Sequence, residues 1–299
     1  MPRLARKAVQ PIIQLALRED AASSDATSRA VIPASRRIRA RIVAKAAGII
    51  AGGPVAAWTF QTVDPSLRCA LKCRDGSRIG RGRTVLAVEG RARSIFAAER
   101  TALNLLGHLS GIATLTTAYV AQTKGTRAKI YDTRKTLAGL RALEKHAVRV
   151  GGGHSHRASL AEAILIKTNH LVALRKTRAS DQWPVASDEL MQKTLTKAKR
   201  STPKQFVEVE VTNVRELTSA LRATPDAILL DNWTVNNIRK AILLRNSSPL
   251  ATRHSPLLEV SGGVSLENVR SIARTGVDRI SIGRLTHSAP SLDVSLEVV

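Results

Sequence analysis

The sequence predicts an α/β protein in two parts, a small mixed α/β domain ending near residue 111 followed by a β/α barrel. Three observations lead there. The first third carries period-2 alternation and a long helical pattern. Beyond it, short apolar runs alternate with helical segments at roughly 20- to 40-residue spacings, the rhythm of βα units. Most of those runs end in polar or glycine residues, as strands feeding an active site at the carboxyl face of a barrel do.

The chain starts Met1-Pro-Arg-Leu-Ala-Arg-Lys, basic, with an apolar stretch broken by Gln14 and Arg18. It reads as a surface helix rather than a signal peptide or membrane span. Ile38, Ala40, Ile42 and Ala44 alternate with Arg37, Arg39, Arg41 and Val43, predicting a half-exposed strand that Gly48 and Gly52-Gly53-Pro54 then punctuate. Cys69 and Cys73 are the only cysteines, too few for a disulfide framework or a four-ligand zinc site. They are expected on one face of a strand as packing residues, in a reduced, cytoplasmic setting. Arg83–Gly90 reads as another strand. Ser94–Leu109 reads as a helix, with Ala98, Ala102, Leu105, Leu106 and Leu109 on its apolar side.

The barrel strands are expected at Ala128–Tyr131, His146–Val150, Ala163–Lys167, Phe206–Val211, Ala227–Leu230, Leu257–Val260 and Arg279–Ile282. Arg175 to Lys204 is the most polar and least regular insert. In Phe206–Val211, if the valines face the helices, Glu208 and Glu210 point into the barrel, where an unpaired carboxylate is costly. One of them and Asp231 are placed to share a cation or a diol, against the plainer reading of a salt bridge to a barrel lysine. Ser261-Gly262-Gly263 and Ile282-Gly283, at the last two strands, suit phosphate.

Composition narrows the function. With 299 residues and 43% apolar content the chain can bury a large core. Its 47 Lys+Arg against 23 Asp+Glu give +24, which would draw polyanions, yet aromatics at 3% leave few stacking platforms, so a dedicated nucleic-acid role is disfavoured. The basic residues are spread along the chain, and most are read as a solvated face. Residues 132–170 are the exception, threading Arg134, Lys135, His154, His156, Arg157, Lys167 and His170 through apolar runs. Cations are rarely placed in a core unless an anion meets them there, which predicts a pocket for a multiply anionic small molecule. A zinc site built from His154, His156 and His170 is too loose a pattern to adopt.

Glu99-Arg-Thr-Ala-Leu-Asn104, Ser110-Gly-Ile-Ala-Thr114, Asp132-Thr-Arg-Lys-Thr136, Gly151–Gly153 with His156-Arg157, Ile164–Lys167 with Asn169-His170, Glu208–Val211, Leu229–Asn232, Ser261–Gly263 and Leu285–Ser288 together resemble the quinolinate phosphoribosyltransferases. The resemblance runs from about Glu19 onward. It implies an N-terminal α/β sandwich over 1–111, joined by the C-terminal 286–299, and an incomplete β/α barrel over 112–285, working as a homodimer. The implied reaction joins quinolinate and phosphoribosyl pyrophosphate, with Mg²⁺, to give nicotinate mononucleotide, pyrophosphate and CO₂. By match to the motifs, Arg134, His156 and Arg157 bind the dicarboxylate, and Arg100 reaches in from the neighbouring subunit. Lys135 and Lys167 supply positive charge near the ring. Glu210 and Asp231 stabilise the ribosyl cation or hold the metal, and Ser261, Gly262, Gly263 and Gly283 take phosphate. His287 is expected to order the phosphate loop.

The chain departs from the family's pattern at Ser155, where asparagine is usual, and at Thr168, where an acid is usual. Two alternatives are weighed. One is the related barrel protein of molybdate-transport operons, with a different substrate. The other is a non-catalytic basic barrel that binds RNA, against which the retained anion-binding residues count.

Overall fold

The computed structural model describes residues 4–174, 188–247 and 255–299. Its strands are β1 (Arg37–Ala44), β2 (Gly48–Ile49), β3 (Arg68–Leu71), β4 (Arg78–Ile79), β5 (Thr84–Arg91) and β6 (Lys129–Tyr131), then β7 (Ile164–Ile166), β8 (Val207–Val211), β9 (Ala227–Asp231), β10 (Leu257–Ser261), β11 (Arg279–Ser281) and β12 (Val294–Val298). Contacts divide the chain into two compact units. One takes in the chain up to Ala118, Lys135–Ser155 and Gly283–Val299; the other is Tyr119–Arg134 with His156–Ile282.

The first unit is built on an antiparallel sheet in the order β12-β1-β5-β3. Strand alternation decides its faces. Ala40, Ile42 and Ala44 join Leu86, Val88, Phe60, Ile95, Ala102 and Leu106 in one buried cluster, while Arg37, Arg39 and Arg41 stay exposed opposite. Ile42 stands in register with Leu86 on one side and Leu296 on the other. On the exposed face, a cavity of about 800 Å³ is bordered by Arg39, Arg41, Arg68, Arg83 and Glu89. Ion pairs Arg39–Glu89 (3.2 Å) and Arg41–Glu297 (3.1 Å) cross that face.

Helix Gly53–Val63 begins with Pro54 in its first turn, and the Asp75 carboxylate accepts from the Gly52 and Gly53 N–H groups at 3.1 and 3.0 Å. That satisfies two donors the helix itself leaves unpaired. The opening segment is a helix, Arg6–Glu19, with Val9, Ile13 and Leu17 buried along one stripe. The helix expected at Ser94–Leu109 spans Ala92–Gln122, so the unit boundary at Ala118 falls inside it. Gly111 does not stop the helix, and Ile112, Ala113 and Tyr119 continue the buried stripe.

Two expectations are corrected here. His146–Val150 is not a strand but the end of helix Arg141–Val150, in which Leu143, Ala147 and Val148 bury at helical spacing. The buried Glu144 lies on the same helix and meets His108 Nε2 at 2.9 Å. The two cysteines do not share a strand face, because β3 ends at Leu71 and Cys73 lies past it. Both remain free thiols, and burial pushes Cys69 up to about 11, which makes it a poor nucleophile.

The second unit is a six-stranded parallel sheet in the order β6-β11-β10-β9-β8-β7. The edge strands β6 and β7 do not pair, so the barrel stays open. Valines 207, 209 and 211 are buried toward the helices, and Glu208 and Glu210 alternate with them as the sequence predicts. Part of the insert between Arg175 and Lys204 forms helix Asp188–Ser201; residues 175–187 lie outside the described residues. Among the described residues, no helix is long and apolar enough to cross a membrane.

Candidate active site

The carboxyl ends of the parallel strands gather the polar residues of the second unit. Strand β6 ends at Tyr131, and Asp132 behind it is fully buried. Its Oδ1 accepts the backbone N–H of His156 at 2.8 Å, tying the segment before β7 to the end of β6. His156 Nδ1 accepts the N–H of Arg157 at 2.8 Å, and Nε2 lies 2.9 Å from Glu208 Oε2 and 3.5 Å from Glu259 Oε1. The Arg157 guanidinium donates to the carbonyl of Ala163 at 2.9 Å rather than to a carboxylate. Its pKa is lowered by desolvation first and by the neighbouring Arg134 cation second, with Glu208 opposing. The Arg134 guanidinium, half-buried like that of Arg157, therefore stands close enough to disfavour the Arg157 charge.

Beneath them lie two buried carboxyl groups. Glu259, at the middle of β10, is fully buried and 3.8 Å from Arg279, whose guanidinium sits 5.0 and 4.8 Å from the ring centres of Tyr131 and Phe206. The Ser281 hydroxyl also donates to Glu259. Burial and then the Glu208 carboxylate push Glu259 up to about 8, favouring its neutral form. Glu208 pairs with His156, which leaves Glu210 as the inward glutamate expected to act with Asp231. Glu259 is not among the residues the sequence predicts, because Leu257-Leu258 opens its strand with two apolar residues and blunts the alternation that marks Glu208. His156, Glu208 and Glu259 hold their donor atoms within 4.8 Å of one another, a metal-capable trio by residue type. Within it only His156 and Glu208 are hydrogen-bonded, and Glu208 Oε1 and Glu259 Oε2 are buried without a hydrogen-bond partner.

Around the rim, Ser261 stands in register with Asp231 on β9 and Ser281 on β11. Glu210 Oε1 accepts from both the N–H and the hydroxyl of Thr168, at 3.2 and 3.1 Å. Thr168, a departure from the family pattern, thus orients the predicted catalytic carboxylate. Asn232 adopts φ 59° and donates to Asp231 Oδ2 at 3.0 Å. Gly262 has φ 84°, and a Cβ there would lie 2.2 Å from Asn232 Oδ1; only glycine leaves room for that amide. Gly263 follows with φ 61°. Lys167, expected among the shielded cations, is exposed at the end of β7, where its N–H donates to His170 Nδ1 at 2.9 Å.

The remaining predicted residues belong to the first unit. Lys135 is exposed, and its side chain crosses Gly283, where a Cβ would meet Lys135 Cδ at 2.9 Å. The Thr286 hydroxyl donates to the Lys135 carbonyl at 2.5 Å. His287 Nδ1 lies 2.6 Å from the Ser288 hydroxyl. Arg100 is exposed on helix Ala92–Gln122, beside a hollow of about 180 Å³ that Glu19, Asp20 and Asn104 also line. Ser155, the other departure, accepts from Arg149 Nη1 at 2.8 Å.

Comparison with known proteins places this arrangement. Residues 25–110 match the family model of the quinolinate phosphoribosyl transferase N-terminal domain, and 112–297 that of its C-terminal domain. The nicotinate-nucleotide pyrophosphorylase [carboxylating] of Mycobacterium leprae is 40% identical over 294 residues, covering 97% of each chain. The quinolinate phosphoribosyltransferase [decarboxylating] 1b of Nicotiana tabacum is 38% identical over 96% of this chain and 81% of its own. Among solved structures, NadC from Streptococcus pyogenes aligns over 100% of both chains at 35% identity and a TM-score of 0.88. With both domain models matched in order and relatives similar over nearly the full length, the chain belongs to the quinolinate phosphoribosyltransferase family.

Proposed function

We propose that this protein transfers the phosphoribosyl group of phosphoribosyl pyrophosphate to quinolinate and releases CO₂, giving nicotinate mononucleotide and pyrophosphate for NAD biosynthesis. The observation that carries the reading is the Arg134–Arg157 pair, two half-buried guanidiniums of which Arg157 has its charge disfavoured by desolvation and by Arg134, a cost that a dianionic ring would relieve. Planar guanidiniums suit carboxylates because they bind them bidentately.

Substrate bound in this way has its ring nitrogen free to attack the anomeric carbon. The new C–N bond forms as the bond to the pyrophosphate oxygen breaks, and pyrophosphate leaves with that electron pair. Glu210, oriented by Thr168, and Asp231 stabilise the positive charge that develops on the ribose. The ribosylated nitrogen is then cationic and draws in the electron pair of the ring bond to the 2-carboxylate. CO₂ departs, and the carbanion left behind takes up a proton. No protein nucleophile is needed. Lys167 and Lys135 supply positive charge toward the anionic reactants.

Mg²⁺ fits the donor chemistry at Glu210 and Asp231, since a hard cation takes carboxylate oxygens together with substrate phosphates. Bound there, it would neutralise the diphosphate. Ser261, Gly262, Gly263 and Gly283 are assigned to phosphate; two of these glycines have positive φ and leave backbone N–H groups open to close approach. We further assign a homodimer in which Arg100 of one protomer serves the site of its partner. Two free cysteines, one raised in pKa by burial, suit a reducing cytoplasm. Direct assay of CO₂ and nicotinate mononucleotide from quinolinate tests the function, with nicotinate as the control substrate. Turnover of nicotinate alone, or of neither acid, would overturn it.

A further inference from the structure

Register across β1, β5 and β3 sets Arg39, Glu89 and Arg68 in one row of the exposed sheet face and Arg41, Ala87 and Ala70 in the next. Two alanines beside an arginine leave a hollow that longer side chains would fill. It is the cavity of about 800 Å³ on this face, a volume in the range of small-molecule sites. Besides the three arginines of those rows, Lys72 and Arg83 border it.

Charge around the hollow is largely of one sign. Glu89 is engaged by Arg39 at 3.2 Å, and Glu297 by Arg41 at 3.1 Å and Lys45 at 2.7 Å. Among the described residues, the side chains of Arg68, Lys72 and Arg83 make no hydrogen bond or ion pair, and all three are exposed. Even with a carboxylate at Val299, which also borders the hollow, cations remain in excess.

Like charges held side by side repel, and an anion placed between them replaces that repulsion with attraction. A chain of condensed phosphates concentrates several negative charges in a small volume, and guanidiniums bind phosphate oxygens bidentately. Among the described residues no aromatic side chain lines the hollow, so nothing there stacks on a nucleobase. A second copy of this chain would bring the same sign of charge to the same face, which disfavours self-association through it.

We infer that this hollow is an anion site for a compact oligophosphate, inorganic or carried on a nucleotide, recognised through its phosphates alone. It uses none of the residues assigned to the reaction, so it stands whether or not quinolinate is the substrate.

Calorimetric titration of the full chain with sodium tripolyphosphate tests it. Tripolyphosphate and ATP are expected to bind within about threefold of each other, and AMP more weakly by about tenfold or more, because the nucleoside finds no partner. Arg68→Glu/Arg83→Glu should weaken tripolyphosphate binding by at least about tenfold, whereas Arg68→Lys/Arg83→Lys keeps most of it. Arg215→Glu/Lys240→Glu, the same change of net charge on exposed helix positions of the second unit, should leave it intact. Because the cations are exposed, raising the salt from about 0.05 M to 0.5 M should also weaken binding steeply. Thermal midpoint and quinolinate turnover should be unchanged in all these variants, which separates a lost site from a lost fold. If the glutamate pair does not fold, Arg68→Ala and Arg83→Ala, each expected to lose about threefold, carry the test. Full binding in the glutamate pair, an equal loss in the Arg215/Lys240 control, or AMP binding as tightly as ATP would each overturn the inference. So would a uridine oligonucleotide that outbinds tripolyphosphate and is lost in the same pair, since the face would then be a nucleic-acid surface.

Discussion

At the scale of single residues, charges held at a cost mark the site. Replacing Arg134 or Arg157 with Ala is expected to lower kcat/KM for quinolinate by the equivalent of about 2–5 kcal/mol, as for removing one partner of a desolvated charge pair. Steady-state kinetics with quinolinate varied at saturating co-substrate would show it, and near-normal values would remove these residues from substrate binding. Glu259 makes a second prediction. Its pKa stands at about 8 against an ordinary 4.5, so its favourable contribution is complete below the ordinary value and is lost as pH rises toward 8. The groups facing it are Glu208, His156 and Arg279 from the neighbouring strands and segment, and Ser281. Unfolding free energy should therefore fall across this window by at most about 1.4 kcal/mol per pH unit from this group. Glu259→Gln should flatten that slope in denaturant titrations; an unchanged slope would mean the carboxyl group titrates normally. The charged residues at strand ends were legible in the sequence because arginine or lysine beside an apolar run is anomalous. Glu259 was not, since a lone acid in a strand announces itself only once its neighbours are known. The engagement of both His156 nitrogens is likewise a matter of tertiary distance.

Among the elements, periodicity served where a run was flanked by breakers and failed where it was not. Strand β8 was readable to the residue face because valine and glutamate alternate strictly. His146–Val150 is ambiguous because a short apolar run looks alike in a strand and at a helix end; the stripe that marks the helix begins at Leu143, ahead of that run. The length of helix Ala92–Gln122 was underestimated for the related reason that its glycines and threonines weaken the pattern without stopping the helix. At the ends of β9 and β10, the Asn232 amide occupies the space a Cβ on residue 262 would need. Gly262→Ala therefore has both a contact and a positive φ against it, and should destabilise the fold by about 1–3 kcal/mol. The KM for phosphoribosyl pyrophosphate should rise with it. Thermal unfolding and co-substrate kinetics would check the two effects separately, and a rise in neither would free the glycine turn from the phosphate role.

For the whole molecule, the class of fold followed from element order and the C-terminal segment was expected with the first domain from the family resemblance, while the assignment of Lys135–Ser155 to the first unit is a property of packing that no local pattern carries. The proposed shared site gives a test at this scale. Arg100→Ala and Lys167→Ala subunits, each inactive alone, should regain part of the activity when mixed, since one site in the hybrid is intact; silence from verified hybrids would confine each site to one protomer. The sheet of the first unit has a consequence in time. Its strand β1 pairs on one side with β5 and on the other with β12, which the ribosome makes on the order of 250 residues later. At about 5–20 residues per second, that flank of β1 waits roughly 12–50 s for its neighbour during synthesis. Through that interval Arg37, Arg39 and Arg41 line the waiting ribbon with like charge, a built-in guard against premature pairing with another nascent chain.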